Sequence, residues 1–494
     1  MKIQKLAIAN RGEVAVRIIR ACHELGIKTV LLHSEADTET RAYRLSDENI
    51  CIGPAPTAES YLNIQANVDG ALSAGAQAIH PGFGFLSENA DFAKAVVDAG
   101  LIFVGPKSET IRALGDKISA KHLIQAANVP TVPGYMGDDQ SLPTLISEAE
   151  KIGFPVIVKA AAGGGGRGMK VIRNRAEAEE LILSAQREAK SAFGSEVVFL
   201  EKYLDRAKHI EFQIFGDSTG KCVHLFDREC SVQRRHQKII EEATSPSLTD
   251  DLRSQMAKAA VNLAQKANYR GAGTVEFLVQ DGKFYFLEMN TRLQVEHPVT
   301  EMVLGVDLVK AQILTAADEF MIWKQTDLIP RGHAIECRVY AEDPYRGGMP
   351  STGKLGAMHF PEGPGRRFEV GFEEGDEITP FYDPMVAKII VWDESRPRAI
   401  RKMLRTLDET FVFGVRLNIP YLKAILSNPE FVDGTMTTQF ISKHLSDGLP
   451  AQKLTEDQEQ FAKAAYSSVA SASSVMLSAT KAAVSPWQTY WRSL

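Results

Sequence analysis

The sequence predicts a mixed α/β and α+β protein built of several lobes, and three observations carry that expectation. The first ~115 residues alternate short apolar strands with helical patterns, as in Leu6 to Asn10, then Glu13 to Leu25, then Thr29 to His33; this is the signature of a doubly wound α/β unit. A glycine run between two β-branched segments, Val156-Ile-Val-Lys159 and Lys170-Val-Ile172, marks a smaller lobe over about 131–203. From about Arg331 the pattern becomes strand-rich with turns and then helical near Pro397 to Thr410. At 494 residues and 44% hydrophobic content the chain can fill several cores, and three lobes are expected.

Composition limits the function classes. With 56 basic against 62 acidic residues the formal charge is -6, which gives no general attraction to nucleic acid or anionic membrane. The cationic segment Gln233-Arg-Arg-His236-Gln-Lys238 has no interleaved aromatics and is a weak nucleic-acid signal. No apolar stretch approaches the ~20 residues of a transmembrane helix. Met1 to Lys5 leads directly into the strand Leu6–Ala9, so no signal or transit peptide is expected. Five scattered cysteines without metal spacing suggest reduced thiols in a cytoplasm.

In the N-terminal unit, Ala78-Ile-His80 is a strand end followed by the turn-rich loop Pro81 to Glu88, where open α/β sheets present ligand sites. In the second lobe, Lys159 stands at the base of a loop with glycines at 163–166 and 168, a backbone-rich segment suited to phosphate oxygens. It is not a P-loop, because Met169-Lys170 stand where Lys and Ser or Thr are needed, and a strand pattern rather than a helix follows. A plain flexible linker has a similar composition.

The third signal is Glu288-Met-Asn290-Thr-Arg292-Leu-Gln294-Val-Glu296, in which every even position is polar. In an extended backbone those side chains share one edge, as they also would on a half-exposed edge strand facing water; fully extended, Glu288 to Glu296 would span about 26 Å, too far for one site, so a bend after Asn290 is expected. Twelve residues upstream lies Glu276, with Asp281-Gly282 as a hairpin turn between. A strict two-residue turn would pair Glu276 with Leu287, so a three-residue loop from Gln280 to Gly282 is expected, making Glu276 and Glu288 diagonal neighbours on one face. Two carboxylates and the Asn290 amide oxygen suit magnesium, although a pair of surface carboxylates reads the same way.

Together Ile8-Ala-Asn-Arg-Gly-Glu13, His80 to Asn89, Gly163 to Met169, Gln233 to Lys238 and Glu288 to Pro298 resemble the biotin carboxylase family of ATP-grasp enzymes, over about Lys5 to Leu445. Ala162 departs from the longer glycine run of many relatives. The resemblance implies a Rossmann-like domain at 1–114, an ATP-grasp domain at 115–330 with a mobile lid at about 131–203, a biotin carboxylase C-terminal domain at 331–446, and a tail at 447–494. It implies ATP- and bicarbonate-dependent carboxylation of biotin through carboxyphosphate, with Mg2+ or Mn2+. Phosphate ligands would be Lys117, Lys159 and the amides of Gly165 and Gly166. Glu201, Lys202 and Leu204 would meet adenine, with His209, Gln233 and His236 on the ribose and phosphate side. Glu276, Glu288 and Asn290 would hold metal.

Bicarbonate would be clamped by Arg292, with Lys238, Gln294 and the Val295 amide in support, since a guanidinium holds a planar anion in bidentate fashion. Glu296 would be the base and Arg338 the partner of the biotin ureido oxygen. Taken singly, each of these residues could equally be a surface lysine, a satisfied histidine or an arginine in a strand salt bridge. Family carriers hold biotin in Ala/Val-Met-Lys-Met, whereas the nearest strings here are Gly168-Met-Lys-Val and Arg401-Lys-Met-Leu. Biotin is therefore expected on a separate carrier protein, with a carboxyltransferase subunit and a homodimer as further partners. The aromatics Trp487, Tyr490 and Trp491 suggest that the tail docks a partner or folds back on its own domain. Another ATP-grasp carboxylate–amine ligase and a non-catalytic nucleotide-binding subunit are the alternative functions. The final acyl acceptor is not legible.

Overall fold

The computed structural model describes residues 3–160, 169–235, 237–318, 323–446 and 448–450, with 460, 463 and 464. The glycines at 163–166 and 168, His236 and the tail aromatics lie outside the described residues.

Strands β1 (Lys5–Ile8), β2 (Lys28–Ser34), β3 (Glu48–Gly53), β4 (Ala78–His80) and β5 (Ile102–Phe103) form a parallel sheet in the order β3-β2-β1-β4-β5. The period of two along a strand explains its two cores. Leu6, Ile8 and Leu31 pack on Val14 and Ile18 of helix Gly12–Glu24, while Ala7, Val30 and Leu32 pack on Val68, Phe92 and Val96. The strand order reverses between β1 and β4, which leaves a crevice at their carboxyl ends. Asn10 closes this crevice by donating to the carbonyls of Pro81 and Phe83, both at 2.7 Å. Gly82 is required there: its φ is +62° and a Cβ would lie 2.8 Å from the Asn10 amide nitrogen.

Strands β6 (Gly134–Tyr135), β7 (Val156–Ala160), β8 (Lys170–Ile172) and β9 (Val198–Lys202) form a separate antiparallel sheet in the order β6-β9-β7-β8. It has its own core, in which Val156, Val158, Val198 and Leu200 meet Leu145, Ile182 and Ala185 of the helices Leu142–Ile152 and Arg175–Phe193.

The largest sheet has eight strands. In sequence these include β10 (Lys208–Gly216), β11 (Cys222–Arg234), β12 (Gln237–Ala243), β13 (Gly271–Gln280), β14 (Lys283–Asn290) and β15 (His333–Tyr340), joined by Arg366–Val370 and Met385–Asp393. In space β14-β13-β10-β11-β12 continue through β15 to the two later strands. The strand-rich region after residue 331 thus extends the sheet of the preceding region, because β15 pairs with β12 from Ile240↔Cys337 to Ala243↔Ala334.

One expectation is corrected here. The hairpin uses a two-residue turn, Asp281 and Gly282, with φ of 50° and 73°, and the three-residue loop does not form. Positive φ at both central residues is the hairpin-compatible turn for an Asp-Gly pair. Parity is restored further along, where Leu287 bulges out between Phe277↔Phe286 and Glu276↔Glu288. The two glutamates are therefore direct cross-strand partners, and diagonal pairing is absent. The bend expected after Asn290 in the polar run 288–296 is present. β14 ends at Asn290, and Glu296 immediately precedes the helix His297–Leu304.

Candidate active site

Register across the large sheet places Glu288, Glu276, Glu211 and Arg228 as successive cross-strand partners on β14, β13, β10 and β11. Like charges directly opposite on neighbouring strands repel, so a row of three carboxylates requires cations. Lys238 on β12 supplies one: its Nζ lies 2.6 Å from Glu211, 2.8 Å from Glu276 and 2.7 Å from Glu296. Arg228 supplies another; it is fully buried, bonds Glu211, and donates to Gln213 at 2.8 Å and Thr300 at 2.9 Å. His209, on the face of Glu211, contacts Glu276 through Nε2 and the Gln233 amide through Nδ1.

Burial alone would neutralise these groups, and the pairing reverses that. Burial pulls the Lys238 ammonium down, but Glu211, Glu276 and Glu296 outweigh it and hold its pKa well above the usual lysine value. Burial pushes Glu276 up, yet Lys238 and His209 bring it well below the ordinary carboxylate value. Glu211 and Glu296 are lowered in the same way, against burial, by Arg228 with Lys238 and by Lys238 with Arg338 respectively. At the sheet edge partial desolvation and the charge of Glu276 raise Glu288.

The bend after Asn290 brings the far end of the polar run back to this row. Glu296 is fully buried and shares the Lys238 ammonium with Glu276, while its second oxygen accepts from Arg338 at 3.0 Å. Arg292 donates to Glu88 at 2.8 Å and to the Asn290 oxygen at 3.2 Å, and Glu88 also accepts the Thr291 N–H at 2.9 Å. The loop after β4 is thereby tied to the bend. Gln294 donates to Thr274 at 3.1 Å, and the Val295 carbonyl accepts from buried Lys388 at 2.7 Å. Asn290 gives its amide hydrogen to Glu276 at 2.6 Å, leaving its oxygen for a cation or for Arg292. The oxygens of Glu276, Glu288 and Asn290 are hard donors suited to Mg2+; His209, Glu211 and Glu276 also present ligand atoms within 4.8 Å of one another.

In the four-stranded sheet Lys159 pairs with Glu201, each side chain about a third exposed. Lys202 donates to the carbonyls of Gly153 and Phe154 at 2.9 Å, and Leu204 is half-buried just beyond β9. Lys117 opens the helix Lys117–Ala126. Gly165, Gly166 and His236 lie outside the described residues.

Sequence reasoning missed Glu211, Arg228, Glu88 and Glu241, the last of which accepts from Arg338 at 2.6 Å. Glu211 had a local signal: it stands two residues after His209 in a β-patterned run, hence on the same face. The others depend on pairings between distant segments.

Comparison with known proteins gives a consistent pattern. Residues 2–111 match the family described as biotin carboxylase, N-terminal domain, residues 116–321 the carbamoyl-phosphate synthase L chain, ATP binding domain, and residues 336–443 the biotin carboxylase C-terminal domain. The biotin carboxylase of Haemophilus influenzae is 48% identical over 444 residues, covering 90% of this chain and 99% of that protein. The mitochondrial methylcrotonoyl-CoA carboxylase subunit alpha of Dictyostelium discoideum is 47% identical over 467 residues, covering 94% of this chain and 67% of that longer protein. Among solved structures, the biotin carboxylase domain dimer of Hydrogenobacter thermophilus 2-oxoglutarate carboxylase, in complex with MgADP, ADP and bicarbonate, superposes with a TM-score of 0.83 at 44% identity, covering 90% of this chain and 98% of that one.

Proposed function

We propose that this chain, which belongs to the biotin carboxylase family of ATP-grasp enzymes, divides its reaction between the two ends of one largely buried row of charges. It is an ATP-dependent ligase that carboxylates biotin using ATP and bicarbonate. The observation that carries the division of labour is the position of Lys238, in contact with Glu276 on the nucleotide side and Glu296 on the bicarbonate side.

At the nucleotide end we assign Glu276, Glu288 and Asn290 to the divalent cation, which when bound would neutralise phosphate charge. Lys117, Lys159 and the amides of Gly165 and Gly166 are assigned to phosphates, Glu201, Lys202 and Leu204 to adenine, and His209, Gln233 and His236 to the ribose and phosphate side. At the other end Arg292 would release Glu88 to clamp bicarbonate, helped by Lys238, Gln294 and the Val295 amide. Glu296, ionised because Lys238 and Arg338 outweigh its burial, takes the bicarbonate proton as the oxygen attacks the γ-phosphorus of ATP. ADP leaves and carboxyphosphate forms. Carboxyphosphate then yields carbon dioxide and phosphate; the phosphate removes the ureido proton of biotin, and Arg338 stabilises the negative oxygen that results.

A biotin carrier is the partner expected of this family, and the Hydrogenobacter neighbour is dimeric. We assign this chain a homodimeric state, a separate carrier protein and a carboxyltransferase subunit, with boundaries at 114, 330 and 446 between its domains. No helix among the described residues is long and apolar enough to cross a membrane. Five free thiols support a reducing cytoplasm. Bicarbonate-dependent ADP release, stimulated by free biotin, tests the whole reading. A carboxylate–amine ligase would require an amine acceptor, and a non-catalytic subunit would release no ADP.

A further inference from the structure

Behind Arg338 lie two carboxylates to which these assignments give no task. Glu241 on β12 and Glu336 on β15 are direct cross-strand partners, so their side chains leave the same face side by side. Both are fully buried. Their surroundings differ. Glu241 Oε1 accepts Nε–H of Arg338 at 2.6 Å and lies 2.5 Å from its Nη2. Neither oxygen of Glu336, nor Oε2 of Glu241, has a hydrogen-bond partner among the described residues.

Two adjacent buried carboxylates do not both ionise cheaply. The one bonded to the guanidinium retains its charge, and the one without a donor retains a proton. The charged and titratable groups facing the pair are Arg338, Tyr340 and the thiol of Cys337 on β15, Lys238 on β12, the thiol of Cys230 on β11, Glu296 before its helix, and Lys388 on the strand Met385–Asp393.

We propose that Glu241 is a positioning residue that fixes the Arg338 guanidinium for the biotin ureido oxygen, and that Glu336 is its neutral, proton-bearing neighbour. The proposal rests on the assignment of Arg338 to biotin. Arg338 is held from two sides, by Glu241 and by Glu296. When Glu296 takes up the bicarbonate proton its hold weakens, and the bond to Glu241 alone keeps the guanidinium in place. Burial, partly offset by Arg338, pushes Glu241 up to about 7, and burial pushes Glu336 up well beyond the ordinary value. Protonation of Glu241 below neutral pH would loosen Arg338, so the biotin-stimulated rate should fall on the acid side.

The test compares the full chain with Glu241→Gln and Glu336→Gln, measuring ADP release with bicarbonate, with and without free biotin, from about pH 6 to 9. Glu241→Gln is expected to lower the ratio of biotin-stimulated to biotin-independent release by roughly tenfold, in line with the loss of one charged hydrogen bond, and to flatten the acid limb. Glu336→Gln should stay within about twofold of the parent at pH 7, because an amide resembles the protonated carboxyl. Should Glu241→Gln fail to fold, Glu241→Asp keeps the charge but shortens the reach, and is expected to raise the KM for biotin while retaining the acid limb. Equal losses in both glutamine variants would reduce the pair to packing, and an unaltered ratio in Glu241→Gln, or an unaltered biotin KM in Glu241→Asp, would overturn the positioning role. A parent without biotin stimulation would instead remove the Arg338 assignment itself.

Discussion

The eight-stranded and the four-stranded antiparallel sheets handle charge in opposite ways. In the eight-stranded sheet Lys238 is buried among three carboxylates and Arg228 is out of reach of solvent altogether, whereas in the four-stranded sheet Lys159 and Glu201 meet at a surface that leaves each about a third exposed. A buried charge loses several kcal/mol of hydration and must regain it from fixed partners, so the first arrangement is pre-organised and brittle. An exposed pair is worth ~0–1 kcal/mol and exchanges partners readily. The difference suits the roles proposed above, in which one sheet holds the reacting atoms and the lysine of the other turns to an arriving phosphate.

The largest expected effect tests the brittle end. Lys238→Met leaves Glu211, Glu276 and Glu296 buried without their shared ammonium, and should lower unfolding stability by about 3–5 kcal/mol and abolish bicarbonate-dependent ADP release. Denaturant titration measures it; a loss below about 1 kcal/mol would mean that the row does not depend on this lysine.

Next comes the division along the row. Glu296→Gln keeps shape but removes the base proposed above, so turnover with bicarbonate should drop by roughly 10²-fold or more while ATP affinity is retained. Glu288→Gln should weaken use of magnesium-ATP itself. Equal loss of ATP affinity in both variants would erase the distinction between the two ends.

A third measurement uses pH. Burial, opposed by Lys388, raises Glu13 from the ordinary 4.5 to about 7. A carboxyl whose folded value lies above its unfolded one contributes stability that is complete below about pH 4.5 and is lost as pH rises through about 7. Thermal unfolding of Glu13→Gln should therefore show a shallower decline over that window than the parent. Parallel curves would mean that Glu13 is already ionised in the fold.

The smallest effect belongs to the exposed pair: Glu201→Ala should change stability by less than about 1 kcal/mol, and any larger loss would make the two sheets alike.

Local pattern revealed much of this molecule and register revealed the rest. Strand and helix alternation over the first hundred residues, the hairpin at Asp281-Gly282 though not its loop length, and the helix near Pro397 were readable because each depends on neighbouring residues. Leu287 gave no sign of its bulge, since one extra residue in a strand leaves alternation intact on either side of it. Glu211 faces Glu276 across 65 residues of chain, and Glu241 faces Glu336 across 95, pairings that only the β10–β13 and β12–β15 ladders create. The polar run ending at Glu296 carried the right residue types, and its length, too great for one site if extended, already required the turn after Asn290.

The continuous eight-stranded sheet also has a consequence for biosynthesis. The N-terminal parallel sheet is complete once Phe103 has been made, and can close while the ribosome is still translating. β12 ends at Ala243 but its neighbour β15 begins at His333, so its outer edge waits about 90 residues for a partner. At about 5–20 residues per second that is roughly 5–20 s with an open strand edge, a period in which nascent chains on one polysome could pair with each other. Stalled chains ending before His333 should accordingly recruit chaperones more strongly than chains that extend past Asp393.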